Sequence, residues 1–143
     1  YVDDWDIGGQ RIIDHGTTDL AFSPAVVAGS ELRFRIWSVP DKGDADITFI
    51  TKYVGRQFMD NTGSSDRMID AFLVNDLRLN VDLPTLKSTR GIQFNFTVRN
   101  LFNELYESNG WVYSYFENDR RMEMIGLFPQ APLNVLGGVS VRL

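Results

Sequence analysis

At 143 residues the chain has the length of one ordinary domain. Cysteine is absent and histidine occurs once, which excludes a disulfide framework, a thiolate nucleophile and any Cys-based metal site. The formal net charge is -5, and the Lys and Arg residues form no basic stripe, so a nucleic-acid surface is not expected. Aromatic residues make up 13% of the chain and glycine is frequent, a balance that favours strands and turns over helix. No apolar run reaches the roughly 18 residues of a membrane helix; a membrane strand needs only about ten alternating residues and stays open. The chain starts at Tyr1, without Met and without a leader-like apolar stretch, so a fragment or processed product is expected.

Residues 1–24 are polar and turn-rich (Gly8-Gly9, Gly16, Ser23-Pro24) and read as loop, with a short strand near Thr18–Phe22. Alternation begins at Ser30–Ser38, with Leu32, Phe34 and Ile36 on one side and Glu31, Arg33, Arg35 and Trp37 on the other. After the turn Pro40–Asp44, Ala45–Gly55 sets Ile47, Phe49, Thr51 and Tyr53 against Asp46, Thr48, Ile50 and Lys52. Residues 56–69 read as a long polar connection. Ala71–Leu83 alternates again, Leu73, Leu77, Leu79, Val81 and Leu83 opposing Asp76, Arg78, Asn80 and Asp82. A turn over Pro84–Arg90 leads to Gly91–Leu101, whose Ile92, Phe94, Phe96 and Val98 oppose Gln93, Asn95, Thr97 and Arg99. Residues 102–130 read as a second long connection, and Leu133–Leu143 closes the chain as a strand containing Gly137-Gly138. No domain boundary is visible. Strands of nine to twelve residues joined by alternately short and long connections fit a membrane barrel wall somewhat better than a sandwich.

Four segments in order then carry a resemblance: Leu20–Pro24 with Ala28–Leu32, Lys52–Thr62, Val98–Tyr106 with Ser108-Asn109-Gly110, and Phe128–Pro132. Together they resemble the C-terminal part of a TonB-dependent outer-membrane receptor of the Bacteroidetes type. The resemblance implies an all-β fold: about five antiparallel transmembrane strands forming part of a 22-stranded outer-membrane barrel. Residues 1–24, 56–69 and 102–130 would be extracellular loops, and the plug and earlier strands would lie outside the chain. The implied function is energy-coupled import of an iron chelate or vitamin across the bacterial outer membrane. The implied partners are the remaining strands and plug, the periplasmic TonB coupling protein, outer-membrane lipid and a surface lipoprotein. A glycan or peptide importer of the same family is the first alternative; a soluble β-sandwich carbohydrate-binding module, using the aromatics around Trp111–Phe116, is the second. Leu143 departs from the terminal aromatic usual in the family. Five strands alone also leave two open edges, which hydrocarbon does not tolerate.

Under that reading Arg33, Arg35, Arg78, Gln93, Asn95, Arg99 and Arg142 face the lumen. Phe34, Phe49, Leu77, Leu79, Phe94, Phe96, Val139, Val141 and Leu143 face lipid. Candidate substrate contacts on the loops are Trp5, Trp111, Tyr113, Tyr115 and Phe116 beside Asp119, Arg120 and Arg121, with Arg56, Asp60, Asn61 and Asp66 in the other loop. Their rings suit stacking and their charges suit anionic ligands, although loop packing and surface charge account for any single one equally well. No catalytic residue is assigned: His15 is alone, and no phosphate loop, nucleophile elbow or zincin motif occurs. Neither cofactor nor metal is expected, since Asp3, Asp4 and Asp6 lack the spacing of a calcium loop.

Overall fold

The computed structural model describes residues 1–84 and 91–142. Leu143, expected on the lipid side, and most of the turn expected at Pro84–Arg90 lie outside the described residues. The fold is all-β. The chain divides into two compact units that interleave along the sequence: unit 1 comprises Tyr1–Val26, Gly55–Ala71 and Tyr106–Gln130, and unit 2 comprises Val27–Val54, Phe72–Leu105 and Ala131–Leu143.

Unit 1 holds β1 (Val2–Asp4), β2 (Gly9–Arg11), β5 (Gln57–Phe58), β6 (Met68–Ile69), β9 (Glu107–Glu117) and β10 (Arg120–Pro129), with a 3₁₀ turn at Ser65–Arg67. Unit 2 holds β3 (Val27–Val39), β4 (Gly43–Val54), β7 (Phe72–Leu83), β8 (Gly91–Arg99) and β11 (Asn134–Arg142). The unit 2 strands form one antiparallel meander in the order β11-β8-β7-β4-β3. Unit 1 forms a four-stranded sheet, β10-β9-β1-β2, and the small hairpin β5-β6.

Three separate open sheets therefore stand where a single run of about five barrel-wall strands was expected. Among the described residues no sheet returns on itself: β3 and β11 end one sheet, β10 and β2 another. The expected 22-stranded barrel is thus corrected, and with it the transmembrane strands and the outer-membrane placement derived from it. The physical reason is pairing: among the described residues the outer edges of β3 and β11 meet no strand, and unpaired backbone groups are not accommodated in hydrocarbon. No helix of the described residues is long and apolar enough to cross a membrane. Residues 102–130, expected as a connection, carry the two long strands β9 and β10, and no strand forms over Thr18–Phe22.

Register builds the two faces of the meander. Leu32, Phe49, Leu77 and Val98 stand in one cross-strand row, and Phe34, Ile47, Leu79 and Phe96 in the next. On the opposite face Arg35, Asp46, Asn80 and Asn95 align. The bulge between Arg35 and Trp37 shifts the alternation, so Trp37 pairs with Ala45 and joins the apolar side. Among the described residues, buried apolar side chains are few, namely Ala45, Val54 and Phe72 in unit 2 and Met59 and Ile69 in unit 1. The apolar face stays open, with Phe34 at 58% and Val139 at 62% exposure.

Polar groups carry much of the local order. Arg33 Nη2 donates to Asp46 Oδ1 at 2.6 Å and Asn80 Nδ2 to Asp46 Oδ2 at 3.1 Å. The arginine holds the buried Asp46 carboxyl below the usual aspartate range. At the end of β8, Asn100 takes φ 52°, a left-handed conformation that asparagine tolerates better than most residues. Its amide donates to Asp76 Oδ1 at 2.9 Å, its Nδ2 to the carbonyls of Glu104 (2.8 Å) and Ala131 (3.2 Å), and its Oδ1 accepts from Glu104 N at 2.8 Å. Asn103, at φ 55°, accepts from Leu133 N at 2.9 Å. These two residues tie the exit of β8 to the entry of β11.

Asn100 is 3% exposed, so Asn100→Ala removes three part-buried side-chain hydrogen bonds, leaves space where the amide packed and strains a left-handed position. It is expected to cost about 2–4 kcal/mol, read as a lower denaturant midpoint. Because Asp46 has a lowered folded pKa, its stabilisation is complete above its unfolded pKa of about 3.9 and is lost as pH falls through the lower folded value. Asp46→Asn is expected to flatten that acid limb, measured as unfolding midpoint against pH between about 5 and 2.

Candidate functional site

The aromatic and charged candidates converge on the β9–β10 hairpin of unit 1. Its tip is a two-residue loop, Asn118-Asp119, between the paired residues Glu117 and Arg120. Both loop residues have positive φ, 52° and 55°, the signature of a type I′ turn, whose twist matches that of the flanking strands. Alternation then divides the hairpin. Trp111, Tyr113 and Tyr115 lie on one face, opposite Gly126, Met124 and Met122 respectively, while Val112, Ser114 and Phe116 lie on the other.

The N-terminal hairpin extends this sheet. β1 pairs parallel with β9, Asp3 beside Tyr115 and Asp4 beside Phe116. Trp5 N donates to Phe116 O at 3.0 Å, and the Trp5 indole stacks on Tyr115 with centroids 3.9 Å apart. Tyr113 and Tyr115 centroids are 5.7 Å apart. Trp111, Tyr113, Tyr115 and Trp5 thus make an aromatic stripe along one face. Glycine at 126 is required by that stripe: a β-carbon there would collide with the Trp111 indole. Trp111 remains 43% and Trp5 55% exposed.

Carboxylates fix the stripe from its edge. Asp6 accepts from the amides of Asn118 and Asp119, both at 2.9 Å, and those bonds hold its pKa below the usual aspartate value. Asp3 accepts from the Tyr113 hydroxyl at 3.2 Å and from Gln10 Nε2 at 3.1 Å. Partial burial and that bond to Asp3 raise the Tyr113 phenol pKa. Arg11 pairs with Asp4, which is 1% exposed, and with Asp119 at 3.1 Å. Its guanidinium also sits 4.2 Å over the Phe116 ring.

A polar cleft of about 430 Å³ in the same unit is lined by Asp3, His15, Asn61, Arg67, Tyr113 and Arg121, among others. Arg67, one of the lining residues, is buried and paired with Asp60 at 2.5 Å and with Glu123. Burial pulls the Arg67 pKa down, but Glu123 and Asp60 outweigh it and raise the value. Asp60 is further held by Thr62, whose hydroxyl donates at 2.6 Å and amide at 3.0 Å.

Of the residues picked out from the sequence, Trp111, Tyr113 and Tyr115 share the stripe, while Phe116 lies on the reverse face beneath Arg11. Arg121 and Asp60 line the cleft, Arg120 is exposed at the end of the hairpin tip, and Arg56 is exposed beside β5. In unit 2, Arg33, Arg35, Arg78, Gln93 and Asn95 occupy the polar face of the meander; Phe34, Phe49, Leu77, Leu79, Phe94, Phe96, Val139 and Val141 occupy the apolar one. Arg99 and Arg142 sit at the ends of β8 and β11. Trp5 was named from the sequence among the loop aromatics, but its stacking on Tyr115 was not foreseen, nor were Asp6 and Arg11 as supports. The one signal for the hairpin was Asn118-Asp119, a pair suited to a tight turn.

Comparisons of the chain with protein-family models, with curated proteins and with solved structures each return no match. The four-segment resemblance to TonB-dependent receptors is therefore corrected on two grounds: the open sheets and the absence of a matching family model. Energy-coupled import, its iron-chelate or vitamin cargo and the outer-membrane assignment depended on that resemblance and fall with it.

Removing the Asp6 clamp leaves both turn amides to solvent. Asp6→Ala is expected to speed hydrogen exchange at Asn118 and Asp119 while leaving the mid-strand amides of β9 protected. Unchanged exchange at the tip would show that the turn holds itself.

Proposed function

We propose that unit 1 is a non-catalytic binding module for a glycan, held on the aromatic stripe formed by Trp111, Tyr113, Tyr115 and Trp5. The observation that supports this reading most is the spacing and openness of the row. Alternate residues of a strand stand about 6.6–6.8 Å apart, and Trp111 and Trp5 at its two ends are exposed. Sugar rings present one apolar face of C–H groups and a rim of hydroxyls. The first packs on aromatic faces and the second needs hydrogen-bonding groups nearby. Gln10 and Asp3 stand beside Tyr113 as such groups.

Binding without turnover fits the chemistry on hand. The carboxylates nearest the stripe are already engaged: Asp3 with Tyr113 and Gln10, Asp4 with Arg11, and Asp6 with two backbone amides. A carboxylate held in place by such bonds still has lone pairs for a sugar hydroxyl, but is poorly placed to serve as acid or nucleophile towards a sugar. Preorganisation is the consequence instead, since a stripe fixed before binding loses little side-chain freedom on contact.

Titration of the protein with cellohexaose, xylohexaose and mannohexaose, followed by tryptophan fluorescence, tests the reading. At least one is expected to quench the signal, and Trp111→Ala to weaken it about three- to tenfold, the value of one aromatic contact. Quenching by none of the three, or affinity indifferent to Trp111, would refute the stripe as a glycan site.

A further inference from the structure

The free edge of β3 is the most conspicuous unused feature of unit 2. β3 is 13 residues long, and every residue but Val39 is exposed. It ends the meander, pairing with β4 on one side only. Edges of folded sheets are usually blunted by short length, proline, charged side chains or a bulge; β3 carries charges and a bulge after Arg35, which limit what can add there without covering the edge. Between Val27 and Arg35 this strand has no proline, and its ladder with β4 runs unbroken.

The two sides of the strand say what fits there. Leu32 and Phe34 are 53% and 58% exposed, whereas Phe49 and Ile47, their partners one strand further in, are half-buried. The difference comes from having a neighbour on one flank only. On the other side stand Glu31, Arg33 and Arg35, a row with one net positive charge whose basic pair lies at its C-terminal end. Arg33 is held by Asp46 yet keeps a side chain 63% exposed, and Arg35 forms no ion pair among the described residues. A strand pairing here must carry apolar residues beside Leu32 and Phe34 and acidic residues beside Arg33 and Arg35, since opposite charges across strands attract and like charges repel.

We propose that the β3 edge is an interaction surface that takes an extended, acidic and amphipathic strand of a partner polypeptide, adding it to the meander as a sixth strand. Main-chain hydrogen bonds supply the affinity of such an addition, and the alternating side chains supply its selectivity. The pairing covers the exposed row of Leu32 and Phe34 and neutralises Arg35. It is independent of the glycan reading, which concerns unit 1.

The probe is a labelled synthetic peptide of thirteen residues alternating valine with glutamate, compared with one alternating valine with lysine. Fluorescence anisotropy is expected to show tighter binding of the glutamate peptide. Hydrogen exchange is expected to slow at the Val27–Arg35 amides and not in β11. Arg35→Glu, an exposed change whose folding is checked by circular dichroism, is expected to weaken the glutamate peptide about fivefold and to favour the lysine peptide. Three results overturn the proposal: equal binding of both peptides, protection confined to β11, or protection of β3 without peptide in a sample that sediments as a dimer. The last would assign the edge to a second copy of this chain.

Discussion

Each strand of the meander shows its side chains to two sides in turn, and unit 2 depends on keeping those sides chemically apart. Its register does so row by row: Phe34, Ile47, Leu79 and Phe96 share one side, and Arg35, Asp46, Asn80 and Asn95 the other. A slip of one residue in any pairing would set a phenylalanine among carboxylates. The Asp46 carboxylate marks the polar side most firmly, because it is buried and is bonded from both neighbouring strands, by Arg33 and by Asn80. Such a charge is tolerated only in the register that supplies its partners. The polar face thus specifies alignment, while the apolar face supplies the reason for burial.

Unit 1 reaches order by another route. Its buried apolar residues are Met59 and Ile69, too few to define a sheet by exclusion of water alone. Side chains bonded to backbone take up the task. Asp6 closes the amides of the hairpin tip, Asn61 accepts from Ala21 N at 2.7 Å, and Asp60 organises the turn that Thr62 begins. Each satisfies donors that a loop would otherwise leave to solvent. Aromatic stacking of Trp5 on Tyr115 then joins the N-terminal segment to β9, which lies far from it in sequence.

How far this could be read in advance follows from the same physics. β4, β7 and β8 lie close to where alternation puts them, since a long period-two pattern of apolar and polar residues suits a strand and little else. The bulge at Ile36 was invisible, because one inserted residue leaves no trace in composition, and it moved Trp37 to the side opposite its parity. β9 escaped because both its faces are partly apolar: Trp111, Tyr113 and Tyr115 on one, Val112 and Phe116 on the other. Its period is therefore blurred, and only the asparagine–aspartate pair at the tip announced a turn. β1 and β2 are three residues each and rich in aspartate, glycine and glutamine. Nothing short of the parallel pairing with β9 makes them strands, so the place of Trp5 beside Tyr115 could not be read from sequence. The two units interleave without any linker, which leaves no composition shift to read.

Motif and architecture separate for a related reason. The segment Val98–Tyr106 carried much of the resemblance to a barrel family, yet the structure gives it a local task. Asn100 and Asn103 adopt left-handed backbone, and their side chains bind amides and carbonyls on both sides of a strand exit. Leu101 N completes the knot by donating to Asn75 O at 2.7 Å. Those residues are needed wherever a strand must stop, turn sharply and hand over to the next. Any antiparallel sheet can use them, open or closed. Closure is decided elsewhere, at the first and last strands, by whether their outer backbone groups meet each other. Periodicity within a strand carries no information about that meeting, because an edge strand and an interior strand alternate alike.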